Sequence, residues 1–143
     1  MFGVFKKKEN ITLYAPVTGK TIAITQVPDK VFAEKMMGDG IGFQFVDSVV
    51  YAPCDGIIAL VAHTSHAVGI TAKNGAEILI HIGLDTVNLN GQGLHALVQT
   101  GDKVKKGTPL IEIDRAFMKE QGIDLTTPMV VTNTSEYKMT IED

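Results

Sequence analysis

The sequence predicts an all-β fold: an antiparallel β-sandwich or barrel-like arrangement with internal duplication and few short helical turns. Runs of four to eight β-prone residues recur along the chain, each bounded by Gly, Pro, Asn or Asp. This spacing is typical of sandwiches and barrels. Helical periodicity is scarce. A segment near the start of the chain is weakly repeated near its middle.

Eight segments carry the strand pattern. In chain order they are ITLYAPV (11–17), KTIAITQV (20–27), IGFQFVDSVVYAP (41–53), GIIALVA (56–62), AVGITAK (67–73), AEILIHIG (76–83), PLIEID (109–114) and PMVVTN (128–133). Two further segments favour short helices instead. KVFAEKMMG (30–38) predicts about two turns that stop at Gly38, and RAFMKEQG (115–122) predicts a short piece that ends at Gly122.

The weak internal repeat indicates an approximate duplication within the fold. APVTGKTIAI (15–24) and APCDGIIALV (52–61) share Ala, Pro and Gly at the same offsets. Each copy is interpreted as a turn that feeds a strand, because Pro sets one dihedral and Gly permits a positive φ. The alternative is chance recurrence of common turn chemistry.

Length and composition bound the class of protein. A chain of 143 residues suits one domain with a hydrophobic core, so we expect residues 1–143 to form a single domain with residues 1–10 flexible. The net charge of −3 gives no indication of nucleic-acid binding. No run reaches the roughly eighteen apolar residues of a membrane span, and the N-terminus lacks the order of a secretory signal. The single cysteine, Cys54, excludes a disulfide framework, and we expect a cytoplasmic protein.

His81 lies in an apolar, β-prone run, EILIHIGLDTVNLNG (77–91). If this strand is extended, Ile78, Ile80 and Ile82 face the core and His81 faces away. That parity weakens the interpretation of His81 as a core histidine and favours a reactive imidazole on a rigid strand, although the pattern alone leaves both open. We expect Gly83, two residues on, to leave open space beside the imidazole.

Other chemical groups give weaker signals. His63 and His66 would share a face on a helix, but their surroundings predict strands and a turn, so a complete metal site within the chain is disfavoured. His95 is expected at or near the surface. GQGLHA (91–96) matches a dinucleotide-binding pattern without the strand and helix that pattern needs. Cys54 is interpreted as a small buried hydrophobe rather than a reactive thiol.

Seven blocks then carry a family resemblance across about residues 10–135: APVTGK, VPDKVFAEKMMGDGIGF, APCDGII, HTSHAVGI, GAEILIHIGLDTVNLNGQGL, GDKVKKGTPLIEID and TPMVVTN. In content and order they resemble the glucose-family enzyme IIA (EIIA, type 1) of the bacterial phosphoenolpyruvate-dependent sugar phosphotransferase system. The resemblance implies a β-sandwich of the duplicated hybrid motif type, with two histidines in a shallow depression. It also implies a phosphocarrier, which takes a phosphoryl group from the histidine-containing phosphocarrier protein and passes it to a cysteine on the IIB domain of a membrane sugar permease.

The resemblance also assigns roles by position. His81 matches the phosphorylated residue, His66 the histidine that stabilises the phosphoryl group, and Thr64 the hydroxyl that orients His66. The matched docking residues are Asp29, Val31, Phe32, Met36, Met37 and Asp85. We expect Val31 and Phe32 to be partly exposed beside the histidines, with burial of the whole apolar cluster as the alternative. The two acids are expected to pair with arginines of a partner, with solvated loop acids as the alternative.

No obligatory cofactor is implied. His66 and His81 could hold zinc only if a partner supplied a further ligand, and a zinc-dependent enzyme is one alternative function. A biotinyl or lipoyl carrier module is the other, suggested by GDKVKKGTPLIEID (101–114) but lacking a lysine in a suitable hairpin. Longer family members carry an N-terminal amphipathic segment, and the few residues before Ile11 predict no direct membrane insertion.

Overall fold

The computed structural model describes residues 9–142, so the expected flexibility of residues 1–8 lies outside the described part of the chain. Residues 9 and 10 belong to a strand, contrary to the expectation that flexibility would extend to residue 10. The described strands are β1 (Glu9–Tyr14), β2 (Gly19–Ala23), β3 (Asp39–Phe45), β4 (Val49–Tyr51), β5 (Gly56–Val61), β6 (Ala67–Ala72), β7 (Glu77–His81), β8 (Leu94–Ala96), β9 (Lys103–Val104), β10 (Pro109–Ile113), β11 (Thr127–Val131) and β12 (Tyr137–Glu142). The helices are α1 (Lys30–Ala33) and α2 (Arg115–Glu120), with 3-10 turns at Ile24–Gln26, Thr86–Leu89 and Thr134–Glu136.

The strands form three sheets, so the all-β prediction is confirmed. A seven-stranded sheet has the order β2-β3-β11-β7-β6-β5-β9, and a three-stranded sheet has the order β4-β10-β8. The third sheet is the pair β1–β12, which is parallel, whereas the other described pairs are antiparallel. The antiparallel prediction is therefore wrong for β1 and β12. Parallel strands need a long connection, and here the chain between the two strands provides it.

β7 lies inside the large sheet, between β6 and β11. Its isoleucines Ile78 and Ile80, and Ile82 just beyond it, are fully buried in the main core, while Leu79 and His81 are only half-buried. The predicted parity is thus confirmed. β11 is buried along its whole length, as expected for a strand covered on both faces.

The two copies of the sequence repeat make equivalent hydrogen bonds in the structure. The amide of Tyr14 donates to the carbonyl of Pro53, and the amide of Tyr51 donates to the carbonyl of Pro16, both at 2.8 Å. The two Ala-Pro turns therefore hold each other through equivalent bonds. This reciprocity supports duplication over chance recurrence.

The glycines of the two copies have equivalent surroundings. Gly19 begins β2 and Gly56 begins β5, and a Cβ on either would collide with a backbone carbonyl of the adjacent strand, at Gln44 and Thr71 respectively. Only glycine permits such a close approach of two strands. The glycine at this offset is thus required by strand packing in both halves.

Local predictions fail where a turn interrupts a periodic segment. α1 is one turn rather than two, because the chain leaves the helix at Glu34 and Lys35 takes a φ of 59°. The predicted strand 41–53 is divided into β3 and β4, which belong to different sheets. α2 is confirmed, with Gly122 at a φ of 67° just beyond its end.

Candidate functional site

The two candidate histidines come together because their strands are neighbours. His81 is the last residue of β7 and is paired with Ala67, the first residue of β6, so His66 lies next to it. The amide of Ile82 donates to the carbonyl of His66 at 2.7 Å. The two imidazole rings lie edge to face, with centroids 5.1 Å apart and an interplanar angle of 72°.

The imidazole of His81 is fixed on two sides. Its Nδ1 lies 2.7 Å from the carbonyl oxygen of Gly83, and since a carbonyl only accepts, Nδ1 must carry the proton. Nε2 then keeps its lone pair. The ring also packs against Phe32, with centroids 5.1 Å apart at 59°. Because the side chain is only half-buried, this arrangement presents a neutral, nucleophilic nitrogen in one orientation.

Gly83 does not leave open space beside the imidazole, so that expectation is wrong. The residue is buried at a φ of +73°, and a Cβ there would lie 2.7 Å from Cγ2 of Thr86 and 3.2 Å from the carbonyl oxygen of Asp124. Glycine is needed for its backbone conformation and for close packing. Gly83 contributes the carbonyl that accepts the hydrogen bond of His81. Strand periodicity does not predict this contact, because it depends on the turn that follows the strand.

His66 is held by the loop that joins β5 to β6. Nδ1 of His66 and the hydroxyl of Thr64 share a short hydrogen bond. Ser65, between them, has a φ of 59°, and its amide donates to Ala62 at 2.8 Å. This strained, closed loop brings the Thr64 hydroxyl back onto the ring.

Both histidines favour the neutral state near pH 7. Burial lowers the pKa of His81, opposed by the hydrogen bond to Gly83 and by the charges of Asp29 and Asp85. The pKa of His66 is lowered by burial and then by the nearby charge of His81. A neutral Nε2 is the form that attacks phosphorus.

The four apolar residues expected at the docking surface divide into exposed and buried positions. Val31 is 41% exposed, Met36 67% and Met37 39%. Phe32 is 5% exposed, so its expected partial exposure is wrong, as is complete burial of the cluster. The single turn of α1 points Phe32 inward, into a small second core with Ile24, Val27, Leu84 and Val130. Phe32 supports the His81 ring and is not available to a partner.

The two acids flank the site in different backbone settings. Asp29 caps α1, where its side chain accepts from the amide of Val31 at 3.0 Å. Asp85 is exposed and takes a left-handed φ of 58° at the start of the 3-10 turn. The charges of both carboxylates raise the pKa of His81, against the larger opposite effect of burial.

The remaining sequence candidates lie outside this arrangement. His63 and His95 are exposed, and the segment 91–96 follows a 3-10 turn and leads into β8, without the helix of a dinucleotide site. Cys54 is buried, and burial raises its pKa to about 11. Its place in the main hydrophobic core agrees with its interpretation as a small buried hydrophobe.

Neither alternative function gains support. Within residues 9–142 no three His, Cys, Asp or Glu side chains are arranged to hold a metal ion. Segment 101–114 divides between β9 and β10, which belong to different sheets. Lys73 lies in the turn between β6 and β7, but it directly follows the last residue of β6 and its ammonium lies 3.6 Å from a carboxylate oxygen of Asp55. No helix in the described part of the chain is long and apolar enough to cross a membrane.

Comparisons with known proteins agree with this geometry. Residues 11–137 match the family model described as phosphoenolpyruvate-dependent sugar phosphotransferase system, EIIA 1. A glucose-specific EIICBA component from Staphylococcus saprophyticus subsp. saprophyticus is 41% identical over 138 residues, which are 96% of this chain and 20% of that protein. The chain thus spans a fifth of the length of this relative.

Two solved structures resemble the fold. Glucose permease IIA from Mycoplasma capricolum superposes with a TM-score of 0.78 at 36% identity, covering 92% of this chain and 84% of that one. Helicobacter pylori Csd3 superposes with a TM-score of 0.52 at 11% identity over 92% of this chain and 34% of that one, a likeness of fold alone. The chain belongs to the EIIA 1 family of the phosphoenolpyruvate-dependent sugar phosphotransferase system and is a phosphocarrier component of its relay.

Proposed function

We propose that Nε2 of His81 is the atom that carries the phosphoryl group. The main support is the hydrogen bond that Nδ1 of His81 donates to the carbonyl of Gly83. This hydrogen bond leaves Nε2 of the neutral ring unprotonated, and the ring of His66 lies beside it. The group arrives from a phosphohistidine of the histidine-containing phosphocarrier protein: the donor N–P bond breaks as the Nε2–P bond of His81 forms. The second transfer breaks that bond and forms an S–P bond on a cysteine of a sugar-specific IIB domain. Both steps need alignment and charge stabilisation more than acid–base chemistry.

His66 stabilises the transferred group, and Thr64 sets its tautomer. If the Thr64 hydroxyl donates to Nδ1 of His66, Nε2 of His66 bears a proton. With the rings 5.1 Å apart, that N–H can donate to an oxygen of a phosphoryl group on His81. The only arginine, Arg115, donates to the carbonyls of Phe45 and Asp47 instead. Because the guanidinium of this arginine is engaged elsewhere, it does not clamp the phosphoryl group, which helps the group to be passed on.

The docking surface consists of Val31, Met36 and Met37, with Asp29 and Asp85 beside it. The exposed side chains provide adaptable apolar contact, and the two carboxylates suit arginines on either partner. The chain acts as a single domain in the cytoplasm. No cofactor is obligatory. Zinc would bind to His66 and His81 only with a ligand from a partner, because two imidazoles leave a tetrahedral site incomplete.

A reconstituted relay tests the assignment. With phosphoenolpyruvate, enzyme I and the phosphocarrier protein, the chain should acquire acid-labile phosphate, and His81→Ala should acquire none. His95→Ala is the matched control, since His95 is exposed outside the site. His66→Gln should accept phosphate but deliver it poorly to a IIB domain. Phosphate on His81→Ala would disprove the first role, and unimpaired delivery by His66→Gln would disprove the second.

A further inference from the structure

The backbone that follows His81 has a hydrogen bond at every polar group from Ile82 to the amide of Leu84. The amide of Ile82 donates to His66 at 2.7 Å, and the amide of Leu84 donates to the carbonyl of Asp124 at 2.9 Å. Between these bonds lies the Gly83 carbonyl that holds the imidazole. The acceptor for His81 is therefore part of a rigid segment.

Two buried threonines hold the peptide unit between Ile82 and Gly83 at its opposite ends. The hydroxyl of Thr86 donates to the carbonyl of Ile82 at 2.6 Å. The amide of Gly83 donates to the hydroxyl of Thr127 at 3.2 Å, and that hydroxyl donates onward to Leu125 at 2.9 Å. Both threonines have zero exposed side chain, so water cannot replace either bond.

Glycine makes this support necessary. Gly83 lacks the Cβ that limits the rotation of other residues, so its own conformational preference does not fix the direction of its carbonyl. If the peptide between Ile82 and Gly83 could turn, Gly83 would rotate with it and its carbonyl would move away from Nδ1 of His81. The proton could then move from Nδ1 to Nε2. A protonated Nε2 has no lone pair with which to attack phosphorus.

We propose that Thr86 and Thr127 are positioning residues for the relay, which fix the Gly83 carbonyl and through it the tautomer and direction of His81. This inference rests on the proposed role of His81 as nucleophile. Neither threonine touches the imidazole or the transferred group. Their effect passes through one peptide unit and one hydrogen bond.

Matched substitutions separate the hydroxyls from simple packing. Thr86→Val and Thr127→Val keep the shape and remove the hydroxyl, whereas Thr86→Ser and Thr127→Ser keep it. Thr126→Val is the control, because Thr126 is buried next to Thr127 and its hydrogen bond, from its amide to the carboxylate of Asp124, does not involve residues 82–84. If one valine variant does not fold, the other still tests the same peptide from its opposite end.

The first readout is the imidazole 15N NMR spectrum of the unphosphorylated full chain. Wild type, both serine variants and Thr126→Val should show the Nδ1–H tautomer of His81, and Thr86→Val and Thr127→Val should show a mixture. The second is the initial rate of phosphoryl acceptance, expected to fall about 10-fold or more in the two valine variants and less than about twofold in the serine variants. A misdirected nucleophile would produce this contrast, and a general loss of packing would not.

The outcomes distinguish this inference from the proposed function. A tautomer mixture in wild type, an unchanged tautomer in folded valine variants, or equal impairment of serine and valine variants would overturn the positioning role. The NMR measurement needs no phosphate, so it stands even if the relay places phosphate elsewhere. Phosphate on another residue would refute the role of His81 in the relay while leaving the measured role of the threonines in its tautomer intact.

Discussion

Replacement of Gly83 by alanine tests the claim that this residue is required by geometry. Gly83 has a φ of +73°, and a Cβ there would lie 2.7 Å from Thr86, 3.2 Å from the carbonyl of Asp124 and 3.3 Å from Leu125. Thr86 is fully buried and cannot move into solvent. Gly122 is the matched control, since it has a φ of +67° and nothing within 4 Å of its Cβ position.

The two substitutions share one cost and differ in another. A left-handed backbone costs a non-glycine residue about 1–2 kcal/mol, and alanine lowers the entropy of the unfolded chain equally in both cases. Only Gly83→Ala adds overpacking, which costs about 1–3 kcal/mol in a close-packed interior. We expect Gly83→Ala to lower the free energy of unfolding by about 1–3 kcal/mol more than Gly122→Ala, the difference being the overpacking cost.

Urea unfolding followed by far-UV circular dichroism measures that difference, provided that both variants keep the wild-type m-value. Gly83→Ala should also lower the rate of phosphoryl acceptance, because the displaced carbonyl no longer holds Nδ1 of His81. Gly122→Ala should leave that rate unchanged. Equal destabilisation by the two substitutions, within about 0.5 kcal/mol, would refute the packing argument.

Three further predictions follow from the charges and burial of the site. Burial lowers the pKa of His66 and His81, so the folded chain binds fewer protons than the unfolded chain, whose histidines have a pKa of about 6.5. The free energy of unfolding should therefore fall as pH drops below about 6.5, and less steeply in His81→Gln; an equal slope in urea titrations would contradict the pKa direction. Asp85→Asn removes a charge that raises the pKa of His81, so NMR titration should find that pKa lower than in wild type, and an unchanged value would show that Asp85 does not act on the ring. Because burial raises the pKa of Cys54 to about 11, the native thiol should react with iodoacetamide at pH 8 about 100-fold more slowly than the urea-unfolded thiol, and similar rates would show that the site is open.

Sequence patterns were sufficient wherever a residue's role depends on strand parity. Alternation around His81 predicts which side chains are buried, because the five residues of the strand alternate regularly and one of its faces meets the core. The repeated Ala-Pro turns likewise predict the duplication. The family motifs placed His66 and Thr64 beside His81, which local pattern alone did not, since the pairing of β6 with β7 is a tertiary contact.

The rest depends on turns and on contacts between distant segments. A one-turn helix decides that Phe32 faces inward and Val31 outward, and a pattern of apolar residues does not contain that information. β8 and β9 have three and two residues, too few to show alternation. The role of Thr127 depends on a tertiary contact, the hydrogen bond from the amide of Gly83 to its hydroxyl. The sequence does not reveal this contact, because a single threonine in a strand carries no distinctive pattern.

Heteronuclear NMR of the enzymatically phosphorylated chain tests the central claim most directly, since it identifies both the residue and the nitrogen that carry phosphorus. The hydrogen bond from Nδ1 of His81 to Gly83 predicts a single phosphohistidine, at Nε2 of residue 81, with the proton retained on Nδ1. Phosphorus on Nδ1 of His81, or on any other residue, would contradict the account.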